Sequence, residues 1–400
     1  MKGDFSELRF DPARHFSRVL QQQGRVQLDS DWNEQASIGL HHLRALARDL
    51  FGPHGGPAAS GFRIEPVAEV DGGIEDLRIG AGRYYVDGIL CENEADVSYR
   101  NQPDYGAAGD GPGLEGPPFL VFLDVWERFV SPVEDDSIRE VALGGPDTSA
   151  RARVVWQVRT YPLERGDDGM EPPWTAIVDR LQGARAGRLR ARGAYEGLDS
   201  HLYRVEIHHG GGVGEPGTFK WSRDNASTAY PIERFDADVV TLATHGEGLI
   251  QGAVVEVECE AFILGDTLRR PDPPPLLEVA ALDRGAQVVT LRGDQDAFAE
   301  LRESASLLRV WDGTGPIQGR WTSLEAEIEV QFTQERYRSG DYWLLAARPE
   351  VGLRWPADAG GEPRAVSPAG IRHHYAPLAI VPGGDGGTAV IDCRRLLPEH

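Results

Sequence analysis

The run RYYVDGILCE at residues 83–92 limits the fold of this chain more than any other stretch. Asp87-Gly88 stands there between two apolar, β-prone runs, and that dipeptide accepts the positive φ angles of a tight hairpin turn. The same texture continues along the chain. FLVFLDVWERFV at 119–130 is too apolar for an exposed strand and suits a buried one. ARVVWQVRTY at 152–161 alternates, with Val154, Trp156 and Val158 on one side. LYRVEIHH (202–209) and GTFKWSRDNASTAYPI (217–232) bracket a Gly-rich connection at 210–214. AVVEVECEAFIL (253–264) sets Val255, Val257 and Cys259 against Glu256, Glu258 and Glu260, the pattern of a half-buried strand. QVVTLRG, SLLRVWDG, AEIEVQF and GDYWLLAARP carry strands to about residue 349, and 48 Gly with 27 Pro supply the turns.

Helical periodicity is confined to the first fifty residues. Trp32, Ala36, Leu40, Leu43, Ala47 and Leu50 recur at spacings of 4, 4, 3, 4 and 3, which places them on one face, expected to be buried. Asp31, with Glu34 three residues on, reads as an N-cap with its capping box. FGPHGGP at 51–57 ends the helix. The expected fold is therefore mostly β, a multi-part body of sandwich or barrel-like units behind an N-terminal α-helical segment. Composition divides it into a helical segment (1–55), β units at 56–170, 171–270 and 276–349, and a tail (350–400) packed on the body. PDPPP at 271–275 reads as the linker.

A formal charge of −22 repels phosphate backbones, so nucleic acid is not expected as a partner. Cys91, Cys259 and Cys393 form no CxxC pair and fit a protein folded in a reducing cytoplasm. The N-terminus lacks the apolar core of a signal peptide, and no run approaches the length of a membrane span, so no membrane insertion is expected. If such a protein acts outside the cell, it is expected to leave by lysis or as part of a larger particle.

The stretch GRVQLDSDWNEQ (24–35) opens as D-x-D-x-N, like a calcium loop. Counting from Asp29, position six is Glu34 and position twelve is Leu40, where an EF-hand requires Gly and a bidentate Glu. Helix capping is the stronger reading, with Asp29 and Asn33 left without a role. The doublets His41-His42, His208-His209 and His373-His374 point to opposite faces of any strand and follow no ligand spacing. In GIRHHYAPLAIV (370–381), Tyr375 and Leu378 are expected to pack, with one His as a hydrogen-bonding partner. Asp135-Asp136 suits a loop with a helix cap, and Asp294 with Asp296 is a pair of no special spacing. Nucleophile elbow and Walker loop are both missing. No catalytic residue, metal ligand or cofactor is assigned, and the chain is not expected to be an enzyme. Nine Trp could stack on sugars, but most lie in alternating strand patterns and read as core.

Several stretches together resemble one family: FDPARHFSRVLQQQGRVQLDSDWNEQ (10–35), GRYYVDGILCENE (82–94) and FLDVWERFVSPVEDDSIREVALGGPDTSARARVVWQV (122–158). LYRVEIHHGG, FKWSRDNAS, YRSGDYWLLAARP and HHYAPLAIV extend the likeness to about residue 381. The family is a bacterial domain of unknown function encoded among genes of phage-tail-like contractile injection systems. The resemblance implies a structural or adaptor part of such a particle: baseplate, fibre or accessory attachment. Other tail proteins are then the partners, assembly occurs in the cytoplasm before release by lysis, and symmetry makes a homo-oligomer the expected state. The N-terminal segment with Phe10, Phe16, Val19 and the Trp32 helix is the candidate docking interface. The alternatives are a module binding a receptor or cell-surface glycan, and a polysaccharide hydrolase.

Overall fold

The computed structural model describes residues 1–397 except 58–60, 69–72, 106–113, 115, 117, 164–172, 184–186, 212–216, 260–263, 265–272, 286, 294–297, 300, 303–304, 326–327 and 383–389. The linker read at 271–275 thus lies partly outside the described residues, as do Asp294 and Asp296. Two helices are used below, α1 (Asp29–Phe51) and α2 (Trp174–Gln182). The strands run in chain order as β1 (His54–Gly55), β2 (Ile64–Ala68), β3 (Ile74–Ile79), β4 (Gly82–Val86), β5 (Ile89–Asn93), β6 (Val97–Ser98), β7 (Phe119–Val130) and β8 (Arg151–Pro162). Next come β9 (Leu189–Gly193), β10 (His201–His209), β11 (Thr218–Ser222), β12 (Ala229–Asp236), β13 (Val239–Leu242), β14 (Val254–Cys259), β15 (Leu276–Asp283) and β16 (Val288–Arg292). The last are β17 (Ala305–Trp311), β18 (Gly313–Pro316), β19 (Thr322–Glu325), β20 (Ile328–Phe332), β21 (Tyr342–Arg348), β22 (Gly352–Arg354), β23 (His374–Val381) and β24 (Ile391–Asp392).

The fold is mostly β, as its alternating runs require, but its packing units are not consecutive segments. One compact unit joins residues 9–128, 153–183 and 372–400, and the other joins 1–8, 129–152 and 184–371. Boundaries drawn from composition cut across both, because sheets pair strands that composition cannot connect.

In the helix-bearing unit, β4 and β5 form the expected hairpin, with Val86 opposite Ile89. Asp87 (φ 48°) and Gly88 (φ 79°) both take positive φ, as a two-residue turn matched to strand twist demands. Tyr84, Val86, Ile89 and Cys91 from this hairpin join Val121, Leu123 and Val125 of β7, Trp156 and Val158 of β8, and Leu378 of β23 in one core. The intervening residues of β7 are buried too: Leu120 and Phe122 pack with Ile177 and Leu181 of α2 and with Tyr375. Burial on both faces explains why the β7 run is continuously apolar.

Helix α1 departs from expectation at its start and on its face. It begins at Asp29, its N-cap residue Leu28 makes no side-chain capping bond, and Asp31 instead pairs with Arg9 at 3.2 Å. The Asp31–Glu34 capping box is not formed; Asp29 and Asp31 lie in the first turn, where carboxylates favour the helix dipole. Only Ser30 and Ile38 are buried, whereas Trp32, Leu40, Leu43 and Leu50 face solvent. Periodicity found an apolar face, but it carried no information about what covers that face.

The second unit holds a closed six-stranded barrel in the order β12-β13-β16-β15-β14-β17. Val240, Leu242, Val255, Val257, Val279, Val289, Leu291 and Leu308 fill it. A five-stranded sheet, β18-β11-β10-β21-β22, sends Tyr203, Val205, Ile207, Phe219, Trp343 and Leu345 into a second core with Leu189, Ile328, Val330 and Phe332. Its other face carries the charged alternates discussed below.

At Gly88, a Cβ would overlap the backbone carbonyl of Arg44 on α1, and the φ is positive. At Gly144 (φ 89°) nothing lies within 4 Å, so an added methyl meets only the conformational cost. Gly144→Ala is therefore expected to cost about 1–2 kcal/mol and Gly88→Ala clearly more, through displacement of α1. Denaturant midpoints of the two variants check this ranking, and equal losses would contradict it.

Candidate functional site: a buried charge network and the N-terminal surface

The most elaborate polar constellation lies within the barrel-bearing unit. On β10, Arg204, Glu206 and His208 alternate with apolar residues, and Lys220 stands on the neighbouring β11. Glu256 and Glu258 project outward from β14 of the barrel, beside Arg309 and Trp311 of β17. All of these charged side chains are buried. Lys220 Nζ lies 2.6 Å from both Glu256 carboxylate oxygens and 3.3 Å from Glu206. Arg309 grips Glu258 through two bonds of 2.9 Å, and Lys2 Nζ reaches the same carboxylate at 2.5 Å. Arg204 pairs with Glu206 at 2.6 Å, and Trp311 Nε1 donates to Glu256 at 3.0 Å. The Lys220 ammonium also sits 4.4 Å from the centroid of the Trp311 ring.

The chain's first residues complete this network. Asn225 Nδ2 donates to the carbonyls of Met1 (3.0 Å) and Gly3 (2.8 Å), and the Met1 amino group lies 3.1 Å from Tyr342 Oη. Burial, then the Arg204 charge, lowers that amino group's pKa to about 4. Burial alone would raise Glu206 and Glu258, but Lys2 with Arg204 and Lys220, and Arg309 with Lys2, hold them below the usual carboxylate range. Burial likewise opposes the Lys220 charge, yet Glu256 and Glu206 outweigh it and raise its pKa.

The half-buried reading of 253–264 is corrected here: Val255 and Val257 point into the barrel, and Glu256 and Glu258 on the other face are buried as well. One signal was legible and missed. Of the 41 Lys and Arg in the chain only two are lysines, Lys2 and Lys220, and both lie in this network. A compact ammonium with three donors suits a site between two carboxylates and an indole better than a planar guanidinium does.

The helix-bearing unit pairs both members of the last His doublet. His373 Nδ1 lies 2.7 Å from Asp124, whose other oxygen is 3.3 Å from Arg159 Nε, and its ring packs 4.9 Å from Trp126. His374 Nδ1 lies 2.8 Å from Asp87 at the hairpin tip and helps hold that carboxyl below its ordinary pKa. A carboxylate behind an imidazole can orient a general base, but a nucleophile must then meet the other ring nitrogen. Among the described residues no hydroxyl or thiol bonds to either ring. These pairs join β23 to β7 and to the hairpin. His208 and His209 lie with ring centroids 4.4 Å apart, and His41 and His42 are both exposed. Among the described residues no three His, Cys, Asp or Glu side chains converge as metal ligands, and no helix is long and apolar enough to cross a membrane. Asp135 caps the short turn Asp136–Ile138.

The proposed interface residues are distributed unevenly. Trp32 is 66% exposed and Phe16 is exposed beneath the Arg14 guanidinium, while Phe10 and Val19 are half-buried. Trp126, Trp156, Trp221, Trp311 and Trp343 are buried, and Trp321 is covered by Arg192 at 4.1 Å, so the strand tryptophans serve the cores and offer no open stacking face.

Fold and site together define a two-unit, mostly-β protein with internally matched charge and an apolar N-terminal surface. It belongs to the family of unknown function DUF6519, whose model matches residues 1–188 and 186–398. No curated protein and no solved structure matches the chain.

Two outcomes follow from the network. Lys220 is buried between Glu256, Glu206 and Trp311, so in the native protein it should resist an amine-acylating reagent that labels it after unfolding. Mass spectrometry reads the label count, and rapid native acylation of Lys220 would refute the burial argument. Burial, then the Lys220 and His209 charges, lowers His208 from 6.5 to about 3. The unfolded chain therefore binds a proton that the folded chain refuses, and stability falls as pH drops through 6.5 towards 3. Thermal melts at about pH 7 and about pH 5 should differ less for His208→Leu than for wild type.

Proposed function

We propose that this chain is a structural or adaptor component of a phage-tail-like contractile injection particle, placed at the baseplate, on a fibre or in an accessory attachment. The observation that supports assembly is the outer face of α1. Trp32, Leu40, Leu43, Leu46 and Leu50 stand exposed along one helix of 23 residues, roughly 35 Å long. A monomer seldom leaves so long an apolar stripe in water, and such patches mark interaction sites. The setting in an injection particle rests on the family resemblance of the quoted motifs. The interior agrees with a structural part: its buried carboxylates Glu206, Glu256 and Glu258 are each paired with a cation, and its His–carboxylate pairs tie strands together.

The test is co-sedimentation with sheathed particles from a host that encodes them, followed by electron microscopy of the labelled protein. Wild type should travel with the particles. Trp32→Asp combined with Leu43→Asp should lower incorporation at least tenfold while leaving circular dichroism and melting unchanged. Removal of residues 1–50 is a poor substitute, because it strips Lys2 from Glu258 and disturbs the barrel-bearing unit. Undiminished incorporation of the double variant would exclude α1 as the docking face. Absence of the wild-type protein from the particles would exclude the particle itself.

A further inference from the structure

We propose that residues 15–28, the segment ahead of α1, form a clasp that docks on a second copy of this chain. The inference deepens the assembly reading by naming a partner, and it applies to the isolated protein whether or not an injection particle is its setting.

Three properties of the segment converge. First, its backbone belongs to no helix or sheet and is almost unpaired. Of the amide N–H groups of residues 16–27, those of Val19 (to Gln35 Oε1, 2.7 Å) and Arg25 (to Gln22 O, 3.3 Å) alone find protein acceptors among the described residues. The second of these closes a turn at which Gly24 takes φ 72°. It separates two β-prone runs, Arg18-Val19-Leu20-Gln21 and Arg25-Val26-Gln27-Leu28. A row of unpaired amides and carbonyls beside β-branched side chains is a template for strand addition to another sheet.

Second, the segment holds its apolar side chains out to water. Leu20 is 69% exposed and Val26 is 83% exposed, and Phe16 and Leu28 are exposed as well. Apart from the Arg14 guanidinium over Phe16, the described residues leave these side chains open, although both cores of the same unit are well filled.

Third, its charge is opposite to that of the rest of the molecule. Between Asp11 and Asp29 there is no acid and there are three arginines, Arg14, Arg18 and Arg25. All 63 acidic residues lie outside this stretch, and the whole chain carries a formal −22. A basic segment on so acidic a body is drawn to another such body. The −22 of each copy repels nucleic acid, anionic membranes and, at long range, a second copy alike, so the attraction that selects a second copy is the local one between Arg14, Arg18 and Arg25 and its acidic surface. A second copy is therefore the occupant that the charge favours, with main-chain pairing and Phe16, Leu20 and Val26 supplying contact.

The experiment is sedimentation velocity of the full-length protein at micromolar concentration, in low and high salt. Wild type should sediment at a multiple of 43.8 kDa, and high salt should weaken association, since the arginines are exposed. Two variants test the two halves of the argument: Leu20→Asp with Val26→Asp, and Arg14→Glu with Arg18→Glu and Arg25→Glu. Both should fall to 43.8 kDa with unchanged circular dichroism and melting temperature. A wild-type protein at single-chain mass throughout, or variants that keep the wild-type oligomer, would overturn the clasp. So would variants that unfold, because the segment would then belong to the fold. Flotation of a monomeric wild type with phosphatidylserine vesicles would assign the segment to a lipid surface instead. An oligomer that never joins sheathed particles removes the particle reading and keeps the clasp, while a monomer that joins them does the reverse.

Discussion

Glu256 and Glu258 stand on the outside of a closed barrel and are nonetheless buried, so the barrel-bearing unit depends on how those two charges are met. Each carboxylate out of water costs several kcal/mol unless ion pairs and hydrogen bonds of good geometry offset it. Lys220 and Trp311 hold one, and Arg309 and Lys2 hold the other, while Arg204 and Glu206 close the network from β10. The five-stranded sheet can cover the barrel only in the register that brings Lys220 to Glu256, because a slip of one residue on β11 would present Phe219 or Trp221 instead. An apolar interface would tolerate such a slip more readily. The charges act as register pins, and removing one partner leaves an unpaired charge that is far more costly than the pair itself.

The other unit achieves register differently. Asp87-Gly88 permits a turn that only positive φ can make, and the tip is then fixed by Asp87 N–H on Pro53 (2.7 Å), His374 on the Asp87 carboxylate (2.8 Å) and the close approach of Arg44 to Gly88. One dipeptide thereby places α1, the hairpin and β23 in relation to one another. The other His of the same doublet, at position 373, joins Asp124 and Arg159 across β7 and β8. Adjacent residues on a strand face opposite ways, so two neighbouring histidines bind two different layers.

What could be read from the sequence followed the range of the interaction involved. The hairpin at 83–92, the doubly buried run at 119–130 and the existence of α1 are encoded within a dozen residues each, and all three are present. The start of α1 was misplaced because Asp29, Asp31 and Glu34 offer equivalent local chemistry, and the distant Arg9 decides which role Asp31 takes. The buried glutamates of β14 were hidden because period-two alternation reports that two faces differ, not that either one meets water. Their partners lie 36 residues away in one case and 51 in the other. The pairing of two lone lysines was visible in composition, but only the fold shows that both serve one network.

The interior and the N-terminal surface obey opposite rules. Inside, Lys220, Arg309, Glu206, Glu256 and Glu258 are all paired, and the network extends to the carbonyl of Met1. Ahead of α1 most amides of residues 16–27 lack a protein acceptor among the described residues, and from residue 16 to residue 50 large apolar side chains are left facing water. Residues 1–8 and residues 9–51 fall in different compact units. Poor local sequence does not explain the exposure, since the α1 stripe keeps its helical spacing over nineteen residues and the segment before it keeps its β-prone runs. A pattern that regular is spent on no contact that the described residues make.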